Sequence, residues 1–227
     1  MSQKLLNLKI NNETGKAELY LYGEIIGNDS FISEYFPDDK APSQIAKELS
    51  ALNDAQTLDI YFNSPGGDVW AGMAIANQLN RFGGTIKAHV DGLCASIASV
   101  IAMYSDELIV PKNAQLMIHN PTVSGYMSGG SNDLRSLADR LDATRGQCVD
   151  AYMRKCKKTK ADIENLMDAE TWLYGNEVAD VFEATIADEI NIQNCYSPLL
   201  DTYKKRPEQA ALEHERAKLK LIQEMYK

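Results

Sequence analysis

The chain alternates short apolar runs with helix-forming segments, and glycine-containing turns separate them. Residues 58–62 are predicted as a strand that runs into a Pro-Gly-Gly turn, and residues 68–81 as a helix that stops at a glycine pair. Residues 86–90 are predicted as the next strand, followed by a helix of small residues. Strands that alternate with helices indicate βαβ units with right-handed crossovers, and hence a layered α/β fold. Sites in such folds lie at the carboxyl ends of the strands, where Ser96 and the Gly66-Gly67 turn are expected.

The flanking segments extend this pattern. Further strands are predicted at residues 17–22, 107–110, 115–118 and, as a strand or turn, 185–190; further helices at 42–52, 132–156 and 160–166; and a turn at Pro37-Asp38-Asp39. Residues 122–131 are rich in glycine and serine, which fits either a flexible loop or an edge that pairs with an extended peptide. Residues 208–227 are highly charged with a partial apolar stripe, as in a docked terminal helix or a mobile tail.

The overall composition limits the classes of function. The 227 residues carry a net charge of −9, which argues against a general nucleic-acid binder because phosphate contacts need clustered lysine and arginine. No apolar run approaches the roughly 18 residues that span a bilayer, and residues 1–10 lack the pattern of a signal peptide. The four cysteines fit neither a zinc site nor a disulfide framework. We therefore expect a reduced, cytoplasmic protein without a metal or other cofactor.

Three segments carry residues that suit acyl transfer by a serine. They are NSPGGD at residues 63–68, GLCASIAS at 92–99 and MIHNP at 117–121. Ser96 is the candidate nucleophile, His119 the candidate base, and the glycine pair has backbone N–H groups that can approach a ligand closely. The N–H of Ile97, directly after Ser96 at a predicted helix start, is a second candidate donor to an oxyanion.

Other histidines and a cysteine could be considered for the roles of base and nucleophile. His89 lies within a predicted strand and His214 in the charged tail. His119 is the better candidate for a base, because it stands at a strand end where Pro121 must break the pairing. Cys94 could itself be a nucleophile, but the small residues around it favour a buried apolar role.

A carboxylate that orients the imidazole is also expected in such a site. The candidates are Asp168 and Glu170, in the segment LMDAETWL at residues 166–173. Acidic residues at an exposed helix end would give the same pattern, so the residues alone leave this role open.

Together these segments resemble the Clp protease proteolytic subunit family, and most of all its phage and prophage branch of head maturation proteases. The resemblance covers about residues 17–190 in the family's order, through NSPGG, DGLCASIASV, MIHNP and LMDAETWL. It implies a crotonase-like ββα superhelix with a protruding helical handle at about residues 132–158. It divides the chain into a peptidase domain, residues 1–190, and a charged, partly helical tail, residues 191–227, without a clear counterpart in the family.

The resemblance also implies a role for each motif residue. Ser96 would be the nucleophile and His119 the general base of a serine endopeptidase. Gly67 and Ile97 would supply the N–H groups of the oxyanion hole, with Gly66 shaping the turn. The substrate would be held as an added strand by Thr122, Val123, Ser124, Gly125 and Tyr126.

The third member of the triad departs from the family pattern. Aligning Trp172-Leu173 with the family's aromatic and aliphatic pair places Glu170 where the family usually has aspartate. Glu170 is therefore the expected acid and Asp168 the alternative. Residues 177–184 also lack the glycine that the family has before the final Ala187-Asp188, so this corner of the fold is expected to differ.

The function that the resemblance implies is an ATP-independent serine endopeptidase, assembled as a homo-oligomeric ring, that processes phage capsid or scaffold proteins. One alternative is the proteolytic core of an ATP-dependent protease. The sequence has no nucleotide-binding GxxxxGK[ST] motif, so the ATPase would then be a separate chain. The other is a non-hydrolytic assembly protein on the same fold. No nucleic-acid or membrane partner is expected.

Overall fold

One mixed sheet organises the chain. The computed structural model describes residues 8–11, 16–28, 41–52, 56–123, 127–191, 195 and 197–205. The strands in these ranges are β1 (Leu8–Asn11), β2 (Lys16–Tyr22), β3 (Thr57–Ser64), β4 (Thr85–Ala95), β5 (Glu107–Pro111), β6 (Gln115–Ile118), β7 (Thr171–Tyr174) and β8 (Thr185–Ala187). The helices are α1 (Pro42–Ser50), α2 (Val69–Leu79), α3 (Ile97–Ala102), α4 (Ser131–Tyr152), α5 (Lys160–Asp168) and α6 (Asn176–Val181), followed by a 3₁₀ helix at Pro198–Thr202.

The alternation predicted from the sequence is confirmed, with strands and helices in the expected order. The prediction was too short at β4, which continues to Ala95 because its second half pairs with β6. It was too long at the last strand, which ends at Ala187. The elements β1, β7 and α6 and the 3₁₀ helix were not predicted. The turn at residues 37–39 and the segment 208–227 lie outside the described residues.

Strand β4 is the centre of the sheet. It pairs in parallel with β3 on one side, and on the other side with β5 along its first half and β6 along its second half. The register sets Ala95 opposite Met117, so β4 and β6 end at the same edge. Strand β7 then pairs with β6 in the antiparallel direction, with Ile118 opposite Thr171.

Helices α2 and α3 pack on each other next to this edge. Helix α2 begins after Asp68, whose side chain accepts a hydrogen bond from the N–H of Ala71 at 2.6 Å and so caps the first turn. The apolar residues Ala71, Ile75 and Leu79 are buried in the main core. Gly72 faces Ile97, the first residue of α3, which fixes where α3 starts.

Helix α4 forms the handle expected from the sequence. The predicted apolar stripe along it is buried only at its C-terminal end, where Cys148 and Tyr152 enter the core. Leu134, near the other end, is 50% exposed. None of the helices in the described residues combines the length and apolar character needed to cross a bilayer.

The close contact between α2 and α3 makes Gly72→Ala destabilising. A Cβ added at Gly72 would lie 2.1 Å from Ile97 Cγ1, so the helices must separate. We expect the free energy of unfolding to fall by about 1–3 kcal/mol. The matched control is Gly146→Ala in α4, where no atom lies within 4 Å of the added Cβ. That change should raise the free energy of unfolding by about 0.5–1 kcal/mol, and urea unfolding of both variants measures the contrast.

Candidate active site

Ser96 stands in the turn between β4 and α3. Its backbone has φ of 55° and ψ of −128°, a conformation that a residue with a side chain rarely adopts. The turn is held because the N–H of Ser96 donates to the carbonyl of Met117 at 2.9 Å. A sharp strand-to-helix turn of this kind presents the serine hydroxyl at the edge of the sheet.

His119 follows the last residue of β6 and meets Ser96 at this edge. Its Nε2 atom lies 2.7 Å from Ser96 Oγ, within hydrogen-bond distance. The contact follows from the pairing of Ala95 with Met117. Ser96 comes directly after Ala95, and His119 comes two residues after Met117. The structure therefore brings together the two residues that the sequence singled out as nucleophile and base.

A buried serine supports both chain segments from behind. Ser99 Oγ lies 2.6 Å from the carbonyl oxygen of Ser96, 2.9 Å from that of Met117 and 2.8 Å from the hydroxyl of Tyr152. Ser99 and Tyr152 are almost wholly buried. In the sequence Ser99 is one of several small residues, and nothing in the pattern indicates this link between the serine turn and β6.

The glycine turn that follows β3 lies against Ser96. A Cβ added at Gly66 would stand 2.7 Å from Ser96 Cβ and 3.3 Å from the N atom of Ile97, so the backbone there approaches the serine closely. The N–H of Gly66 donates to Ser64 Oγ at 3.2 Å, which fits its expected role in shaping the turn.

The N–H groups of Gly67 and Ile97 remain the candidate oxyanion donors. Ile25 forms a short parallel bridge with the glycine turn: its N–H donates to the carbonyl of Gly66, and its carbonyl accepts from the N–H of Asp68. The N–H of Gly67, which lies between these two groups, therefore points away from Ile25. The N–H of Ile97 belongs to the first helical residue of α3, where it has no intrahelical acceptor.

Burial and a nearby carboxylate act in opposite directions on His119. Burial lowers the pKa of the imidazole below its ordinary value of 6.5, because the cation loses water, and the negative charge of Glu170 opposes the shift. Burial is the larger effect, so the ring is neutral near pH 7 and its free nitrogen can accept a proton.

Glu170 lies between α5 and β7, one residue before the position that pairs with Ile118. Its φ of 48° is one of two positive values among the described residues other than glycine. Within the described ranges no hydrogen bond joins it to His119. Its carboxylate oxygens instead accept hydrogen bonds from the backbone N–H groups of Lys204, at 3.0 Å, and Lys205, at 2.6 Å.

Asp168, the alternative acid, belongs to a different cluster. Its carboxylate accepts hydrogen bonds from Asn120 Nδ2 at 2.7 Å and from the Arg145 guanidinium at 3.0 Å. These bonds hold the pKa of Asp168 below its usual value, Asn120 having the larger effect. Arg145 also donates to Asn120 Oδ1 at 2.9 Å, so the cluster ties helix α4 to the chain just after His119.

A C-terminal strap, defined as residues 197–205, packs over the site. Its residues Leu200 and Tyr203 join Ala95 and Met117 in a small apolar cluster. The Tyr203 ring lies edge-on to His119, with 5.1 Å between ring centroids. From the sequence, residues 197–205 are expected only as part of a charged, partly helical tail, and no pattern in them indicates this contact with the site.

The hydroxyl of Tyr203 reaches the glycine turn beside the serine. It donates to the carbonyl of Pro65 at 2.5 Å. Burial raises the pKa of this phenol far above its ordinary value, and the nearby Ser96 hydroxyl opposes that rise. The hydroxyl is therefore protonated at any physiological pH.

The other residues considered from the sequence lie apart from the serine or outside the described ranges. Thr122 and Val123 are exposed just beyond the histidine segment, while 124–126 and 214 are among the undescribed residues. Cys94 is fully buried, and burial raises the pKa of its thiol, which suits the apolar role expected for it. His89 pairs with Asp59 on the sheet. No group of three or more His, Cys, Asp or Glu side chains in the described ranges could hold a metal ion.

A serine held against a histidine at the carboxyl edge of a layered α/β sheet is an arrangement typical of hydrolases that work by acyl transfer. Comparison with known proteins identifies the family. The sequence model described as Clp protease matches residues 15–192, and the chain belongs to the Clp protease family. This confirms the family inferred from the motifs, and with it the crotonase-like α/β fold with a helical handle.

Individual relatives share the name ATP-dependent Clp protease proteolytic subunit 1. The protein of Chlamydia abortus is 30% identical over 154 residues, which span 66% of this chain and 80% of the relative. That of Chlamydia trachomatis is 29% identical over the same shares of both chains. That of Protochlamydia amoebophila is 29% identical over 155 residues, 66% of this chain and 75% of its own. The family to which this chain belongs is thus one of peptidases.

The electrostatics of His119 predict its titration. The midpoint should lie below 6.5, because burial disfavours the cation more than Glu170 favours it. Glu170→Gln removes the charge that favours the cation, so the midpoint should fall further. Nuclear magnetic resonance of the ring nitrogens measures both values, with His119→Gln to assign the signal. A midpoint above 6.5, or an upward shift in Glu170→Gln, would contradict this balance.

Proposed function

We propose that the chain is a serine-type endopeptidase that cleaves polypeptides through Ser96, His119 and Glu170. The observation that carries the proposal is the 2.7 Å contact between Ser96 Oγ and His119 Nε2, beside a glycine turn. A serine hydroxyl is a weak nucleophile until a base accepts its proton, and a neutral imidazole at this distance is such a base.

In the proposed first step, Ser96 Oγ attacks the scissile carbonyl carbon while its proton passes to His119 Nε2. The carbonyl oxygen becomes an oxyanion that accepts hydrogen bonds from the N–H groups of Gly67 and Ile97. The C–N bond then breaks, and the leaving amine takes the proton from His119. The product of this step is an acyl ester on Ser96 together with the released amine.

In the second step, water attacks the ester carbonyl and gives its proton to His119. The ester C–O bond breaks, the proton returns to Ser96 Oγ, and the carboxylic acid product leaves. Glu170 stabilises the imidazolium formed in both steps, consistent with its electrostatic effect on the His119 pKa. Asp168 is the weaker candidate because Glu170 is the carboxylate that acts on the His119 pKa, whereas Asp168 bonds to Asn120 and Arg145.

The substrate and the assembly follow from the same proposal. An extended polypeptide would pair with the edge that begins at Thr122 and Val123, which are exposed directly after the histidine segment and continue into residues 124–126. Copies of the chain would assemble into a homo-oligomeric ring, and the exposed part of α4, including Leu134, offers apolar surface to a neighbour. In domain terms, residues 1–190 would form the peptidase and residues 191–227 a charged, partly helical C-terminal tail, of which residues 197–205 pack on the peptidase.

We propose further that the enzyme acts without ATP, in the cytoplasm, on capsid or scaffold proteins of a phage. The support for this finer assignment is the sequence resemblance to the head maturation branch. The name of the relatives, ATP-dependent Clp protease proteolytic subunit 1, favours the alternative of a core that works with a separate ATPase.

Hydrolysis of an unfolded protein substrate tests the proposal. The isolated chain carrying Tyr203→Ala should cleave casein without nucleotide, and Ser96→Ala in that chain should lower the rate by on the order of 10³-fold or more while the fold is unchanged. Cys94→Ala, which alters a buried thiol two residues from Ser96, should keep the activity. Tyr203→Ala is used because the Tyr203 ring packs edge-on against His119, beside Ser96. Cleavage of short peptides but not of casein would favour the ATPase-dependent core, and no cleavage by any folded variant would favour an assembly protein.

The choice of acid is tested by a matched pair of neutral substitutions. Glu170→Gln should lower kcat by roughly 10²–10⁴-fold because the imidazolium loses its counter-charge. Asp168→Asn should change kcat by no more than about twofold, since its carboxylate is exposed and bonded elsewhere. Both are compared in the natural and Tyr203→Ala chains. The reverse order would assign the role to Asp168.

A further inference from the structure

The C-terminal strap contacts all three residues that the proposed reaction uses. Tyr203 stands edge-on to His119, and its hydroxyl donates to the carbonyl of Pro65 in the glycine turn that lies against Ser96. The next two residues supply the backbone N–H groups that bind Glu170.

The position of the Tyr203 hydroxyl excludes a substrate. A scissile carbonyl must come within roughly 3–3.5 Å of the serine oxygen before attack. The Tyr203 hydroxyl lies at this place, because it donates at 2.5 Å to the carbonyl of Pro65, and the next residue of the glycine turn, Gly66, lies against Ser96. Tyr203 is only 8% exposed, so its side chain lies within the site.

The strap also binds the carboxylate of Glu170, the proposed acid of the triad. Lys204 N–H binds Glu170 Oε2 and Lys205 N–H binds Oε1, so both carboxylate oxygens accept a hydrogen bond from the strap. Within the described residues the carboxylate makes no hydrogen bond to His119. The donors are backbone groups, which explains why the side chains at these positions gave no signal in the sequence.

Contacts away from the reacting groups hold the strap in place. Leu200 is 3% exposed and packs with Ala95 and Met117. Ser197 begins the segment with a hydrogen bond to Glu24 and caps the 3₁₀ helix through the N–H of Leu199. The strap is thus anchored at its start, its middle and its end.

We propose that residues 197–205 are an autoinhibitory strap that keeps the isolated chain latent, by occupying the substrate position at Ser96 and by binding the carboxylate of Glu170. The inference rests on the proposed function, because inhibition has meaning only if Ser96 reacts. Activity then requires displacement of the strap, and the entering polypeptide competes with it for the same edge of the sheet.

The test compares full-length variants by their rate of reaction with a fluorophosphonate, followed by intact mass. Leu200→Asp places a charge in the apolar cluster and should release the strap, raising the rate by on the order of tenfold or more. Thr202→Asp is the matched control, because residue 202 is exposed on the same segment, and its rate should equal that of the natural chain.

A second pair of variants tests the backbone contact with Glu170. Lys205→Pro removes the N–H that donates at 2.6 Å, whereas Lys205→Ala keeps it. The proline variant alone should react faster. A slower reaction of Lys205→Pro would show that the strap positions Glu170 for catalysis, and would overturn the proposal.

Hydrogen exchange separates the failure of the strap from the failure of the site. The amides of Lys204 and Lys205 should exchange slowly in the natural chain and rapidly in Leu200→Asp. If the natural chain reacts as fast as the released variant, the strap does not inhibit, although Ser96 is a nucleophile. If the exchange shows release and Ser96 still does not react, the proposed peptidase function fails and the strap proposal with it.

Discussion

The pairing of β4 with β6 is the constraint on which the site depends. Ala95 lies opposite Met117, so Ser96 and His119 leave the sheet side by side. The hydrogen bonds of Ser96 N–H and Ser99 Oγ to the Met117 carbonyl then hold the serine turn against the end of β6. The strained backbone at Ser96 persists because these bonds and the packing of α3 over-determine it. A shift of one residue in this register would move each side chain to the other face of the sheet.

The chemistry at this edge is a balance between burial and charge. Burial keeps His119 neutral, as a base must be, and Glu170 favours the imidazolium that appears once the base has accepted a proton. The strap binds the same carboxylate through the backbone N–H groups of Lys204 and Lys205. Its Tyr203 side chain lies beside His119 and the glycine turn, next to Ser96. A motif can therefore be complete in sequence while the groups it names are engaged by another part of the chain.

The sequence predicted the layered α/β order and the edge where the site lies, because hydrophobic runs and glycine turns are local signals. It placed Ser96 and His119 on that edge, and the structure finds them in contact. It missed β7 and the strap, which are short and lack a periodic pattern, and whose positions depend on distant partners such as β6 and Glu170. Ser99 and Arg145 were missed for the same reason, since a small residue and a surface charge reveal their contacts only in the fold. The catalytic roles of Ser96, His119 and Glu170, and the oxyanion roles of Gly67 and Ile97, stay predictions.

The central claim is that His119 activates Ser96, and peptide mapping of a phosphonylated chain tests it most directly. The full-length Tyr203→Ala variant is treated with a fluorophosphonate, digested, and read by tandem mass spectrometry, beside the same chain carrying His119→Ala. The account predicts a single adduct, located on Ser96, that is lost when His119 is replaced. An adduct on another residue, or one on Ser96 that forms equally fast without His119, would contradict it.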